Sequence, residues 1–284
     1  MQSKDIDDLI NFSVINVNKP SGIFCHEIDR KIMNLFNLKK VGHSGTLDPK
    51  ASGVLVIALG EATKILKFLM ESDKEYEGII YLHKDVNRED VEKLIKNKFI
   101  GEIIQIPPFK SRVSRKPRKR KIYLFEIMDK KGKEIHFRIR TQAGTYIRKI
   151  AHDIGLELGC GAHLKFLKRT KVGDFDIKHS HTLFEIEEAY NKWKNGDGSP
   201  LKKILIPIEN ALKIKKVSIK PRKIPSVLNG SPISKIDIIS DTELKVGEIV
   251  GLIGERGEMI GLGVVRTRNK IKTERIFINR NRII

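Results

Sequence analysis

The sequence predicts an α+β domain over residues 1–212 followed by a small β-barrel over residues 213–284. Two observations carry this. Through the first three quarters of the chain, strand-like and helix-like segments follow one another without a strict βαβ rhythm. After Lys213 the pattern changes to short apolar runs separated by glycine-rich turns. The length, with 40% hydrophobic and 6% aromatic residues, is enough to bury a sizeable core in the larger domain.

VINVNKPSG (Val14–Gly22) reads as a short strand ending in a Pro-Ser-Gly turn. Ile28, Ile32, Leu35 and Phe36 then recur at helical spacing, with Arg30, Lys31 and Asn34 on the opposite face. A glycine-punctuated loop spans Gly42–Gly53, and the unbroken apolar run Val54–Leu59 reads as a buried strand. Tyr76–Leu82 is rich in β-formers. In Glu134–Thr141 the apolar Ile135, Phe137 and Ile139 alternate with His136, Arg138 and Arg140, giving a strand with one basic face. Ile147, Ile150, Ala151, Ile154 and Leu158 form a helical stripe stopped by Gly159 and Gly161. NKWKNGDGSP (Asn191–Pro200) reads as the clearest loop, IPIENAL (Ile206–Leu212) as packed chain, and the domain boundary falls near Lys213. Beyond it, Glu248–Ile253, Met259–Arg266 and Arg275–Ile278 read as strands of the barrel.

The net charge is +20, from 55 Lys and Arg against 35 Asp and Glu. An excess of that size cannot be paired internally and favours a polyanion, because each neutralised phosphate releases counterions. Residues 213–284 are the more basic per residue, with 16 basic and 7 acidic side chains against 39 and 28 in residues 1–212. Two cysteines, Cys25 and Cys160, argue for a reducing compartment and against a disulfide framework or a cysteine-based zinc cluster. No apolar run is long enough for a membrane span, and the mixed, acidic start is no signal peptide. A cytoplasmic protein is expected.

Asp48 stands in GHSGTLDPKASG, framed by Gly42, Gly45 and Gly53 and followed by Pro49. Proline disfavours helical backbone at the residue before it, so this carboxylate belongs to a stiff turn. Taken alone, that is also how an ordinary Asp-Pro turn looks. KSRVSRKPRKRK (Lys110–Lys121) holds eight basic residues in twelve and no acid, with Pro117 breaking any helix. Phosphate binding by Lys110, Arg112, Arg115, Lys116, Arg118, Lys119 and Arg120 in a mobile loop is the expectation, weighed against a solvated face or a localisation signal. Cys160 and His163 have ligand-like spacing but no companions, His152-Asp153 is half of a metal phosphohydrolase pattern, and His179 and His181 read as solvent-facing. No dinucleotide, P-loop or metal motif occurs, so no cofactor is expected.

The string from Gly42 to Gly53 resembles the catalytic loop of the TruB and dyskerin family of RNA pseudouridine synthases. VINVNKPSG, DKEYEG, GEIIQIPPFKSR, GTYIRKIAHDIGLELGCGAH and FLKRT match in the same order. The resemblance implies a catalytic domain with a mixed, largely antiparallel sheet and flanking helices. It implies that Asp48 is the essential carboxylate, that Arg148 of GTYIR pairs with it and holds it ionised, and that Tyr76 of KEY stacks on a flipped target base. Leu167 of FLKRT becomes an apolar wall of the uracil pocket, and His43 contacts RNA around the flipped base. Lys19 and Pro20 match a motif of structural support. The basic tail is similar, more loosely, to a PUA domain through SVLNGSPI, VGEIVGLIG and MIGLGVV.

Tyr81–Pro108 and Ala189–Leu212 resemble the archaeal and eukaryotic H/ACA branch, and the lack of a long lysine-rich tail points to an archaeal member; a eukaryotic one would be nucleolar. That branch takes its target from a guide RNA and works with three small partner proteins, on ribosomal RNA and also tRNA. The rivals are a guide-independent enzyme of the tRNA T-loop, a non-catalytic RNA-binding or assembly protein, and a glycosidase. A glycosidase would ordinarily need two opposed carboxylates.

Overall fold

The computed structural model describes residues 3–107, 114, 116–240 and 242–277. Its centre is a ten-stranded sheet. The path runs β10 (Ile206–Pro207), β1 (Ser13–Lys19), β3 (Ser52–Leu59), β8 (Ala162–Val172), β4 (Lys74–Leu82), β7 (Glu134–Thr141), β6 (Arg118–Lys131) and β5 (Gly101–Gln105). Off this path, β2 (Val41–His43) pairs with β3 and β9 (Phe175–Asp176) with β8. Every pairing is antiparallel except that of β3 with β8, where Ser52 lies beside Lys168 and Gly53 beside Arg169.

The run Val54–Leu59 is apolar throughout because β3 is covered on both faces. Leu55, Ile57 and Leu59 join Ile15 and Val17 in the main core, while Val54, Val56 and Ala58 join Val14 in a second core behind the sheet. The short α3 (Leu66–Met70) packs on the second core through Leu69, while over the main face lie α2 (Cys25–Leu35), α4 (Arg88–Lys98), α5 (Ile147–Glu157) and α6 (Leu183–Lys194). Each of these last four contributes its apolar stripe: Ile28 and Ile32, Val91 and Ile95, Ile150 and Ile154, Ile186 and Ala189. A fully buried isoleucine of this kind contributes about 1.5–3 kcal/mol, which pins α5 and whatever its first turn presents. The N-terminal helix α1 (Ser3–Asn11) places Ile6 and Ile10 in the same core. Phe12 packs instead on the second core.

The basic face of β7 is partly engaged within the sheet. Arg138 Nη2 donates to Glu75 Oε2 at 2.9 Å, His136 lies beside Glu134, and the Arg140 guanidinium covers the Tyr123 ring.

Two sequence expectations are corrected. Asn191–Pro200 is mostly helix, since α6 continues to Lys194 and α7 (Ser199–Ile204) starts with Pro200 in its first turn; only 195–198 connect them. Thr182 and Glu185 form a capping box, and Tyr190 and Trp193 pack on the main core, so tertiary burial carries the helix into a polar, glycine-rich tract. The last tail strand, β15 (Lys270–Ile276), starts five residues before the expected Arg275, and Ile278 lies outside the described residues. Its first half is polar apart from Ile271, which is buried opposite Ile233.

The chain enters its second sheet at β11 (Lys215–Ser218). With β12 (Ile233–Ser234), β13 (Ile249–Ile253) and β14 (Met259–Thr267), the order is β11-β13-β14-β15-β12. A bridge between Ile219 and Ile238 draws the two ends of the sheet together. It encloses Val217, Ile224, Val250, Leu252, Ile260 and Val265. Ile253, Met259, Leu262 and Phe277 complete the second core behind β1 and β3, and Lys64 Nζ donates to the Ile276 carbonyl at 2.9 Å. No helix among the described residues is long and apolar enough to cross a membrane.

Candidate active site

Asp48 opens a tight turn in which the Ala51 N–H donates to the Asp48 carbonyl at 2.9 Å, with Pro49 presetting the second position. Two glycines shape the loop. Gly45 has φ +127°, and Gly53 has φ +105° with its missing Cβ only 2.2 Å from where the Arg169 carbonyl oxygen lies. A side chain at Gly53 would therefore push β3 off β8 and displace the turn.

The loop is laced to its neighbours. Lys19, fully buried at the end of β1, donates its three ammonium protons to the carbonyls of Pro20 (2.9 Å), Pro49 (3.0 Å) and Ala51 (2.7 Å). Burial pushes its pKa below the ordinary lysine value; Cys25 and Asp48 oppose that shift, and Arg169 adds to it. Arg169, also buried, donates from Nε to the Val54 carbonyl at 2.7 Å and from Nη2 to the Gly45 carbonyl at 3.0 Å. Cys25 Sγ accepts from the Leu47 N–H at 3.2 Å and lies 3.3 Å from the Leu47 carbonyl, and burial raises its thiol pKa. The Gly22 N–H reaches the Pro49 carbonyl at 2.8 Å, and Ser21 Oγ reaches that of Lys50 at 2.7 Å.

Arg148 comes from the first turn of α5, and its guanidinium donates to the Asp48 carboxylate. The side chains are 52% and 48% exposed, so the pair stands at the surface and not in the core. The start of α5 is fixed by Gln105, which donates to the Tyr146 carbonyl (3.2 Å) and accepts from its N–H (3.0 Å).

Tyr76 sits in the register of β4 between Arg169 of β8 and Ile139 of β7, only 8% exposed. Leu167 lies two positions away across the strands, opposite Gly78, and belongs to the same core face. On the other face, the adjacent Glu75 is buried and bonded by Thr170 Oγ1 at 3.0 Å as well as by Arg138. His43 is held through Nδ1 by Asp29 Oδ2 of α2 at 2.6 Å, with Nε2 3.1 Å from Thr46 Oγ1.

The expected mobile basic loop is corrected in part: Arg118, Lys119 and Arg120 open β6, paired with Gln105, Ile104 and Ile103 of β5, because the sheet's ladder reaches back to the residue after Pro117. Lys110, Arg112 and Arg115 lie outside the described residues. Lys116 is exposed, Arg118 Nη2 donates to the Ser114 carbonyl, and Lys119 pairs with Glu102 at 2.8 Å. The Arg120 guanidinium packs under Gly144, beside the turn that launches Arg148. Elsewhere His163 stacks with Tyr81 and bonds His83, Asp153 pairs with Lys149, His179 is exposed, and His181 is half-buried, bridging to β1 through its backbone. Among the described residues no group of three or more His, Cys, Asp or Glu could hold a metal ion.

Sequence reasoning missed Arg169, Gln105, Asp29 and the Glu75 cluster. Arg169 stands two residues after Leu167, at the strand period that puts both on one face, but AHLKFLKRTKV carries too few apolar residues to read as a strand. The arrangement presents one half-exposed carboxylate, clamped by a guanidinium on a stiff turn, with Tyr76 and Leu167 on the core face of the neighbouring strands β4 and β8. An ionised, oriented carboxylate at the surface is what a proton-transfer or nucleophilic step requires.

Comparison with known proteins points the same way. Residues 33–147 match the model of the TruB family pseudouridylate synthase N-terminal domain, and residues 148–213 that of the tRNA pseudouridylate synthase B C-terminal domain. A Nanoarchaeum equitans protein named "Probable tRNA pseudouridine synthase B" is 38% identical over 276 residues, covering 96% of this chain and 79% of that one. Among solved structures, a chain of a Cbf5-Nop10-Gar1 complex is 36% identical with a TM-score of 0.88, covering 98% of this chain and 88% of that one. A chain of an H/ACA ribonucleoprotein bound to a substrate RNA containing 2′-deoxyuridine is 35% identical with a TM-score of 0.86, covering 97% and 88%.

Proposed function

This chain belongs to the TruB family of pseudouridine synthases, enzymes that isomerise uridine in RNA, and from that premise we propose that it is the catalytic subunit of a guided H/ACA-type particle, with Asp48 as its catalytic carboxylate. The reaction breaks the bond from uracil N1 to ribose C1′, turns the base, and joins C5 to C1′. N1 gains a proton and C5 loses one, so no external group donor takes part. Asp48 acts at the sugar–base junction, and Arg148 orients its carboxylate. Tyr76 stacks on the target base, and Leu167 closes the apolar side of the pocket. His43 meets the RNA beside the flipped nucleotide.

The observation that carries the guided reading is the likeness of nearly the whole chain, second sheet included, to a chain of the Cbf5-Nop10-Gar1 complex. On this reading residues 1–212 form the catalytic domain and residues 213–284 a PUA-type RNA-binding barrel that anchors the guide. The partners are a guide RNA, ribosomal substrate RNA and small H/ACA proteins, in the cytoplasm of an archaeal cell. The basic segment of residues 110–120 grips substrate phosphates. Such contacts give affinity without sequence information, so target choice comes from guide pairing.

A second reading, a stand-alone enzyme of the tRNA T-loop, is favoured by the names of the sequence relatives. The test compares initial rates on a guide-matched ribosomal RNA fragment with and without guide, partners present in both arms. The guided reading expects modification of the single unpaired uridine with guide present. Equal rates would remove it in favour of the tRNA enzyme.

A further inference from the structure

The segment leading into α2 carries a feature that folding alone does not explain. Phe24 occupies the N-cap position of α2, yet the residue is 52% exposed and its side chain gives the helix no cap hydrogen bond. Ser, Thr, Asp or Asn at that position would stabilise the helix by about 0.5–2 kcal/mol relative to an apolar residue. A residue that forgoes a cap and holds an aromatic ring in water breaks two local rules at once, and such breaks concentrate at functional sites.

The ring does not stand alone. Its centroid lies 5.4 Å from that of His26, the two planes tilted by 35°. Cys25 between them points inward and contacts Leu47, the residue before Asp48, while Gly22 and Ser21 bond the carbonyls of Pro49 and Lys50. The Phe24 N–H donates to Glu27 Oε2 at 2.8 Å, which fixes the backbone that carries the ring. Phe24 and His26 thus stand on backbone anchored to the rim of the Asp48 loop. Along α2 the same face continues, at three- and four-residue spacing from His26, to Asp29, which holds His43, and to the exposed Arg30.

We propose that Phe24 and His26 form a stacking platform for the unpaired nucleotide that neighbours the target uridine, outside the pocket that takes the target itself, with Arg30 at the adjoining phosphate. Aromatic rings interleaved with cations are how proteins hold single-stranded nucleic acid, because every base has a face to stack and every linkage a charge. A base lifted from its stack leaves its neighbour with one bare face, and the platform covers it. The net charge of +20 and the continuity with the Asp48 loop favour RNA over a protein segment as the occupant. The inference rests on the reading of Asp48 as the active-site carboxylate.

The test uses the full chain carrying Asp48→Asn, assembled with guide and partner proteins, and a substrate RNA bearing 2-aminopurine either 5′ or 3′ of the target uridine. One of the two probes should be quenched on binding. Phe24→Leu, which keeps apolar bulk but removes the aromatic face, should abolish that quenching and weaken RNA binding roughly 5- to 50-fold. Its salt dependence should be unchanged, and Phe24→Trp should restore both signals. Arg30→Gln should instead lower the salt slope by about one. Because Phe24 is exposed, thermal melting of Phe24→Leu should match the parent. Unchanged quenching and affinity in Phe24→Leu would overturn the proposal, as would a loss confined to binding of a small partner protein. Turnover of unlabelled RNA by the wild-type chain is measured in parallel. Intact quenching without turnover would refute the catalytic reading and leave the platform standing.

Discussion

Replacing Lys19 by Met tests whether the Asp48 loop is held by a buried cation. The ammonium has three protons, and the three carbonyls of Pro20, Pro49 and Ala51 take all of them at 2.7–3.0 Å. Methionine fills much of the same volume but leaves these acceptors without their donor. Hydrogen bonds to a charged group contribute about 1.5–3 kcal/mol each, so three amount to roughly 5–9 kcal/mol of gross loss. Against this stands relief from burying an unpaired ammonium, of the order of several kcal/mol. The net destabilisation is roughly 2–4 kcal/mol, lowering Tm by about 5–15 °C at 2–4 °C per kcal/mol. Two of the freed carbonyls belong to the Asp48 turn, and a shift of about 1 Å in a reacting group can cost a hundredfold in rate. Forming the C5–C1′ bond expels the hydrogen on C5, so tritium release from 5-tritiated uridine in RNA follows the reaction. Single-turnover release should slow by about 10- to 100-fold while RNA affinity changes little. A variant that melts with the parent and reacts at its rate, or that loses only affinity, would refute this account.

Four further outcomes are expected. Asp48→Asn should abolish tritium release while RNA affinity stays within a few fold. Arg148→Ala should cost activity, by at least tenfold, more than folding, because a half-exposed ion pair contributes only about 0–1 kcal/mol to stability; a large loss in urea stability with retained rate would contradict this. Neutralising Lys116 and Arg118 together with Lys110, Arg112 and Arg115 should weaken substrate capture and flatten its dependence on salt, leaving guide binding intact. Lys74, whose burial lowers its pKa to about 8, should give a pH signature. Below about pH 8 both folded and unfolded chains carry its proton. From there to the ordinary value of 10.5 the unfolded chain binds more protons, so this residue's contribution to stability rises with pH, by at most about 3 kcal/mol. The stability of wild type relative to Lys74→Met should therefore grow across that window in urea unfolding, and parallel curves would exclude it.

Much of the fold was legible before any tertiary contact was known. Amphipathic periodicity placed α2 and α5, strand alternation placed β7, and the unbroken apolar run placed β3, because each pattern follows from which faces are buried. The Asp48 turn was legible because glycine and proline restrict the backbone locally, and motif order supplied the family. The remainder came from contacts between distant segments. Tertiary structure turned the glycine-rich tract after Asn191 into helix, since the burial of Tyr190 and Trp193 outweighs local propensity. It showed Arg138 of the basic face of β7 to be paired with Glu75 and Arg140 to lie over Tyr123, contacts that depend on the partner strands that register brings alongside. It also brought Lys19, Cys25, Arg148 and Arg169, scattered over 150 residues, to one loop. A buried cation reads in sequence like any surface lysine or arginine, because its role is set by the carbonyls that surround it, and only the folded chain assembles those.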